Sequence, residues 1–369
     1  MLVALGLIIL SSASEANGVR LYNDAYFFMK RQFLYLGAGI VLAVCTTLFD
    51  YRRWRDWPWL TGAVFALVML MLAAVFPPLG RQINGSYRWI NLGILNIQPS
   101  EFAKLVTVIA VAVWLDRSGW RVELFKRGAL APAALIGIVA APVMLEPDFG
   151  STMVIGLSGF LVMFLAGVRL LHMLPFFALG FGALAYKVAT NANRMARIAA
   201  FFGINIDVGA EVMDAAAKRA AYQADQALVA IGNGGVSGVG LGESLQKHYY
   251  LPEAHTDFIF AIGAEELGIG FSIGVLTLFI LFFAFAVYIA QKATDRFGRF
   301  LVMGMTFIIF FQAMFNIGVV CKALPTKGMA LPFFSYGGTN MLSAFFAVGT
   351  ILSVGIHSYR DRKRNLNAG

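Results

Sequence analysis

Residues 258–290 read FIFAIGAEELGIGFSIGVLTLFILFFAFAVYIA. As one upright α-helix this run would extend roughly 50 Å, against a hydrocarbon core of roughly 30 Å. Gly268-Ile269-Gly270 is the natural place for a break. The reading is a short helix over 258–267 that dips into a protein-lined cavity, followed by a membrane span. Glu265 and Glu266 then lie inside protein and need partners, because a carboxylate facing lipid is costly.

The remainder of the 369 residues fits that reading. Hydrophobic residues make up 59% and charged residues 13%, about half the charged share of a soluble domain. One soluble core could not hide so much apolar surface, which excludes a soluble globular enzyme, a disordered chain and a disulfide scaffold. Apolar runs at 1–14, 33–49, 58–76, 101–115, 128–145, 152–168, 173–190, 271–291, 300–321 and 339–357 predict an all-α integral membrane protein, a polytopic bundle of about ten helices. The first run, MLVALGLIILSSAS, resembles the apolar stretch of a signal peptide but lacks a basic leader, so it reads as a span. Cys45 and Cys321 lie in or beside apolar runs and suggest packing.

Basic residues orient the bundle. With both termini inside, the inner segments carry Arg52, Arg53, Arg55, Arg117, Arg121, Lys126, Arg127, Arg169, Lys292, Arg296, Arg299, Arg360, Arg362, Lys363 and Arg364. Leaving aside the long segment 191–254, because long loops obey the rule poorly, the short outer loops and outer helix ends carry Arg20, Lys30, Arg31, Arg81, Arg88, Lys104, Lys322 and Lys327. That bias places the C-terminus in the cytoplasm and accounts for most of the net charge of +9. The expected organisation is a single membrane domain over 1–369, with a large outer loop, 191–254, between spans 7 and 8. Within it, 211–231 (EVMDAAAKRAAYQADQALVAI) predicts an Ala-rich surface helix. GNGGVSGVGLG at 232–242 lacks the register of a nucleotide loop and reads as flexible backbone or close packing near a ligand.

Four outer constellations could carry chemistry. In QPSEFAK (98–104), Glu101 and Lys104 share a helix face at i, i+3, as a structural ion pair or as site residues. EPDFGST (146–152) places two acids around a proline, where turn chemistry and helix capping are the plain reading. QKHYYLPEAHTDFIF (246–260) crowds Lys247, two histidines, Glu253 and Asp257 at the edge of the long apolar run. It has no metal-protease spacing. It offers Asp257 or Glu253 as a general base, and Asp257 could equally be a helix N-cap. LPTKGMALPFFSYGGT (324–339) is an ordered loop whose Lys327 could meet an anion or simply sit on a turn.

In this order, the QPSEF-x-K, EPDFG-[ST], YLPEAHTDFIFA and PTKG…LPFFSYGG motifs resemble the SEDS family (shape, elongation, division and sporulation) over nearly the whole chain, closest to its division-type FtsW branch, with RodA next. The resemblance implies a ten-span peptidoglycan glycosyltransferase of the bacterial cytoplasmic membrane. Such proteins polymerise lipid II at the outer face, at the division site, alongside a class B penicillin-binding transpeptidase and other division proteins. Membrane lipid, not nucleic acid, is the expected surroundings.

The resemblance puts the family's essential aspartate on Asp257 and its Glu–Lys pair on Glu101 and Lys104, and it tips Asp257 toward catalysis as the base. Substrate-binding candidates are Glu101, Lys104, Arg88, Lys247, Glu253, His255 and Lys327. Pyrophosphate departure needs positive charge, for which Lys104, Lys247, Arg88, Arg194 and Arg197 are placed; a divalent cation is the one cofactor this chemistry leaves room for. The chain departs from the family pattern at its short start, between Arg194 and Tyr222, and at Thr339-Asn340. Rival readings are a lipid II flippase and a scaffold that recruits a transpeptidase.

Overall fold

The computed structural model describes residues 1–76, 80–83, 86–91, 93, 96–202, 210–248 and 250–368. Tyr249 and residues 203–209, parts of stretches singled out above, lie outside the described residues, as does the side chain of Arg81. In chain order the helices are α1 (Leu2–Tyr22), α2 (Phe27–Leu48), the single turn α3 (Arg53–Asp56), α4 (Pro58–Ala74), α5 (Pro99–Ser118), α6 (Ala131–Leu145), α7 (Phe149–Leu165), α8 (Leu170–Ala189), α9 (Ala192–Phe202), α10 (Ala210–Gly234), α11 (Ile259–Lys292), α12 (Arg296–Val320) and α13 (Gly338–Ala368).

Among the described residues, seven helices are long and apolar enough to cross a membrane, and α4 and α7 are shorter apolar helices. With α5 they account for every predicted span. Proline opens α4 and α5, where its missing N–H costs nothing. The predicted surface helix of the long loop is α10, preceded by α9 against which it packs.

The chain packs as two compact units. One comprises Met1–Leu34, Phe181–Leu281 and Phe311–Gly337; the other comprises Tyr35–Gly180, Phe282–Phe310 and Gly338–Gly369. In the second unit α5 is the core. It is buried from Pro99 to Leu115 almost without interruption and packs against α4, α6, α7 and α13. A small antiparallel sheet, β1 (Gly80–Ile83), β2 (Ser86–Asn91) and β3 (Asn96–Ile97), precedes α5. This sheet is an addition to the all-helical expectation.

In the first unit α11 breaks at Gly268, where φ is 71° and ψ −165°. The break leaves a buried half-helix over 259–267, as the length argument required. The Gly-rich stretch after α10 explains how that half-helix ends. Val239 and Gly240 N–H groups donate to the Glu265 and Glu266 carbonyls, both at 3.0 Å, and Ile269 N–H donates to Gly235 C=O at 3.0 Å. These bonds satisfy carbonyls that a helix end leaves without partners. Glycine is needed for the approach, since a Cβ at Gly234 would lie 2.1 Å from the Ala264 carbonyl oxygen. The stretch is therefore close backbone packing.

Candidate active site

Two of the predicted constellations meet in the first unit. The turn ahead of α11 folds back on Glu253, whose φ of 56° lies in the left-handed region. Its carbonyl accepts the N–H groups of Thr256 (3.1 Å), Asp257 (3.1 Å) and Phe258 (3.3 Å). The first turn of α11 bonds to Phe258 C=O, so Phe258 holds the cap position and Asp257 stands one residue outside it.

The 324–337 loop grips this turn. Ser335 Oγ donates to Thr256 C=O and Tyr336 N–H to His255 C=O at 3.0 Å. Asn316, on α12 and 2% exposed, donates from one amide nitrogen to Asp257 C=O and to Met329 C=O, each at 2.7 Å. Gly328 presses against the aspartate itself. A Cβ there would lie 2.4 Å from Asp257 Oδ2. The carboxylate is half-buried, and Lys327 is the next residue along the loop from that contact.

The other candidates of the first unit differ in exposure. Glu253 is exposed and accepts a hydrogen bond from Thr256 Oγ1 at 2.9 Å. His255 packs on Phe28 at 4.7 Å and lies 3.4 Å from the Asn17 amide through Nδ1. Burial lowers the pKa of its imidazole from the ordinary value, against the pull of Glu253. Arg194, on α9, donates to Lys187 C=O at 2.7 Å, and Arg197 is exposed.

Lys247 serves the protein interior. It is 4% exposed and donates to Ser12 Oγ at 2.9 Å and to Gly242 C=O, with Glu266 Oε1 at 3.5 Å. Ser12 also donates to Glu266, and Ser244 Oγ donates to Glu265. Both glutamates of the half-helix are fully buried and find these partners, as burial demands. Lysine and serine thus anchor α1, the loop before residue 248 and the half-helix together.

The second unit joins the other two constellations. Lys104 is fully buried and donates to Glu101 Oε1 at 2.7 Å. The second oxygen of Glu101 accepts from Ser343 Oγ at 2.9 Å and from the Asn340 amide at 3.2 Å. Asn340, which departs from the family pattern, therefore supplies a donor as a serine would. Asp148 caps α7 through Ser151 N–H at 3.2 Å and accepts from the Gln98 amide (3.0 Å) and Ser100 Oγ (3.1 Å). The capping reading of the EPDFG turn holds. Arg88, on β2, donates to the Glu146 and Pro147 carbonyls at 3.1 and 2.6 Å.

Glu146 is 1% exposed, and neither carboxylate oxygen has a hydrogen-bond partner among the described residues. Burial, and then the charge of Asp148, push its pKa up from 4.5 to about 8, against the pull of Arg88. Between those values the native state holds a proton that the unfolded chain has lost. Its contribution to stability is therefore complete below pH 4.5 and declines as pH rises through about 8. Glu146→Gln is neutral throughout. It should match the wild type near pH 4.5 and be more stable at pH 8, by up to a few kcal/mol at ~1.4 kcal/mol per pKa unit. Thermal unfolding in one detergent at both pH values checks this, and parallel losses in the two proteins would count against it.

Among the described residues no group of three or more His, Cys, Asp or Glu side chains is arranged to hold a metal ion. The residues that sequence reasoning missed are donors and spacers: Asn316, Gly328, Ser335 and Ser343. Their signal was faint, a lone polar residue in an apolar helix or a glycine beside a charged one.

The profile of the FtsW/RodA/SpoVE family, described as cell cycle protein, matches residues 1–360. A relative from Coxiella burnetii, named "Probable peptidoglycan glycosyltransferase FtsW", is 37% identical and covers 96% of this chain and 93% of its own. One of the same name from Trichlorobacter lovleyi is 35% identical, covering 96% and 90%. Among solved structures, a chain from a peptidoglycan synthase complex that coordinates polymerization and crosslinking matches with a TM-score of 0.71 and 26% identity over 97% of both chains. The rod shape determining protein RodA of Thermus thermophilus matches with a TM-score of 0.69 and 27% identity, covering 97% of this chain and 94% of its own.

Proposed function

We infer from the FtsW/RodA/SpoVE family, to which this chain belongs, that it is a multi-pass bacterial membrane protein and a peptidoglycan glycosyltransferase. Its substrate is lipid II, polymerised at the outer face of the cytoplasmic membrane during division. A class B penicillin-binding transpeptidase crosslinks the product. Both chain termini lie in the cytoplasm, as the basic residues indicate.

The observation that carries the mechanism is the setting of Asp257. It is a half-buried carboxylate outside the helix cap, its backbone carbonyl held by the Asn316 side chain of α12 and its carboxylate met by Gly328 of a second loop. Asp257 takes the proton of the 4-hydroxyl of lipid II's N-acetylglucosamine. That oxygen bonds to the anomeric carbon of the growing glycan as its bond to pyrophosphate breaks. One displacement converts the α-phosphate into a β-1,4 linkage, and undecaprenyl pyrophosphate leaves. Lys327 and Arg197 are suited to meet its charge, with Glu253 and His255 against the sugars. Arg88 contributes from the EPDFG turn. Glu101, Lys104 and Lys247 act through the protein groups they already bind.

Gly328→Ala should misplace the carboxylate without removing it. A methyl group 2.4 Å from Oδ2 must push one of them aside, and misplacement on the order of 1 Å can cost ~100-fold in rate. The expected result is a 10- to 100-fold lower rate of polymerisation, on the order of that effect, with melting nearly unchanged. An unaltered rate would show that this contact does not set the geometry.

The function is tested in vesicles that carry labelled lipid II in the outer leaflet and the protein in known orientation. Polymer should form there with no lipid II supplied from the opposite leaflet. Transfer of lipid II across the bilayer without polymer would establish a flippase instead.

A further inference from the structure

We propose that the second unit binds an anionic phospholipid in a groove at its basic end, lined by none of the candidate-site residues described above. A groove of about 370 Å³ opens among the end of α7, the end of α11 and the start of α12. Leu165, Phe300 and Met303 supply an apolar wall, and Gln291, Arg296 and Arg299 supply the polar part.

Arg296 and Arg299 stand at i, i+3 on α12 and are both exposed. Arg296 spends one donor on Ala166 C=O at 3.4 Å; a guanidinium has four more. Arg299 has no side-chain partner among the described residues. Of the acids at this end, Asp116 lies within electrostatic reach of Arg296, but its direct ion pair is with Arg55. Asp295 and Asp116 face Arg55, at 3.3 and 3.5 Å, and Asp295 also accepts from Tyr51.

The surrounding chain agrees in sign. Arg52 reaches Thr294 and Asp361, tying the α11–α12 turn and the α13 tail to the end of α2. That tail carries Arg360, Arg362, Lys363 and Arg364. By the excess of basic residues this is the cytoplasmic end, where the leaflet is negative. Two arginines at the mouth of an apolar groove between span ends fit a headgroup phosphate with its acyl chain on the wall. A free phosphate would use the arginines and leave the wall unoccupied.

The test is native mass spectrometry of the full-length protein in detergent, titrated separately with phosphatidylglycerol and phosphatidylcholine. Wild type should retain phosphatidylglycerol preferentially. Arg296→Gln/Arg299→Gln should lose about 30-fold in affinity, roughly five-fold for each arginine. Arg296→Lys/Arg299→Lys keeps the charge and should stay within about five-fold of wild type, the worth of one charge; it decides the matter if the glutamine variant misfolds. Equal retention of the two lipids, or equal retention by the wild type and the glutamine variant, would overturn the site. So would displacement of the lipid by an equal concentration of inorganic phosphate.

Discussion

Asp257→Asn should abolish measurable glycan polymerisation, lowering kcat by about 10²- to 10⁴-fold, the usual contribution of a general base. Asparagine has nearly the same shape as aspartate but cannot accept the hydroxyl proton. The contacts that hold the position survive the change. Asn316 donates to the backbone carbonyl of residue 257, and the turn hydrogen bonds from Glu253 C=O are also backbone. Melting temperature and lipid II affinity should therefore stay close to wild type while turnover is lost, the pattern of an interaction made only in the transition state. A well-folded Asp257→Asn protein that polymerises normally would return Asp257 to a structural role.

Lys104→Met should be the most destabilising single change in the second unit, by about 3–5 kcal/mol. It leaves Glu101, 6% exposed, charged and without its cation, with only Asn340 and Ser343 as partners. Methionine fills the space of the lysine stem, so the loss is electrostatic and not a cavity. Glu101→Gln/Lys104→Met removes both charges and should recover most of the stability. Unfolding by graded denaturant in micelles measures both variants. The double variant also separates two roles. If the pair is structural, restored stability brings restored polymerisation. If Lys104 touches pyrophosphate, the double variant is stable and still inactive.

Much of the architecture was legible because lipid imposes simple rules. Apolar length gave the spans, and the excess length of 258–290 gave the break that the structure places at Gly268. The acids of the half-helix were expected to need partners, and burial made that certain, but nothing in the spacing pointed to Ser12, Ser244 and Asn233 as those partners. They arrive from distant segments.

The small sheet was missed because attention to apolar length passes over short polar strands. A signal existed in Asn84-Gly85, a hairpin dipeptide lying in sequence between β1 and β2. The site was half legible. Charged clusters named Asp257 and the Glu101–Lys104 pair, yet they could not tell a cation directed at a ligand from one spent on the interior. Lys247 and Lys104 look alike with Lys327 in sequence, and nothing in their spacing shows that the first two pair with Glu266 and Glu101. Gly328 acts by having no side chain and Asn316 by binding backbone carbonyls, and neither leaves a mark of its own on composition.

The proposed activity requires that this chain itself joins lipid II into glycan. Its most direct measurement is the purified full-length protein in detergent micelles, with its transpeptidase and labelled lipid II, and the products treated with a muramidase. Micelles have no second leaflet, so transport cannot mimic the result. A ladder of long glycan products that the muramidase digests is the expected result. Lipid II left unpolymerised, beside an active control polymerase under the same conditions, would contradict it.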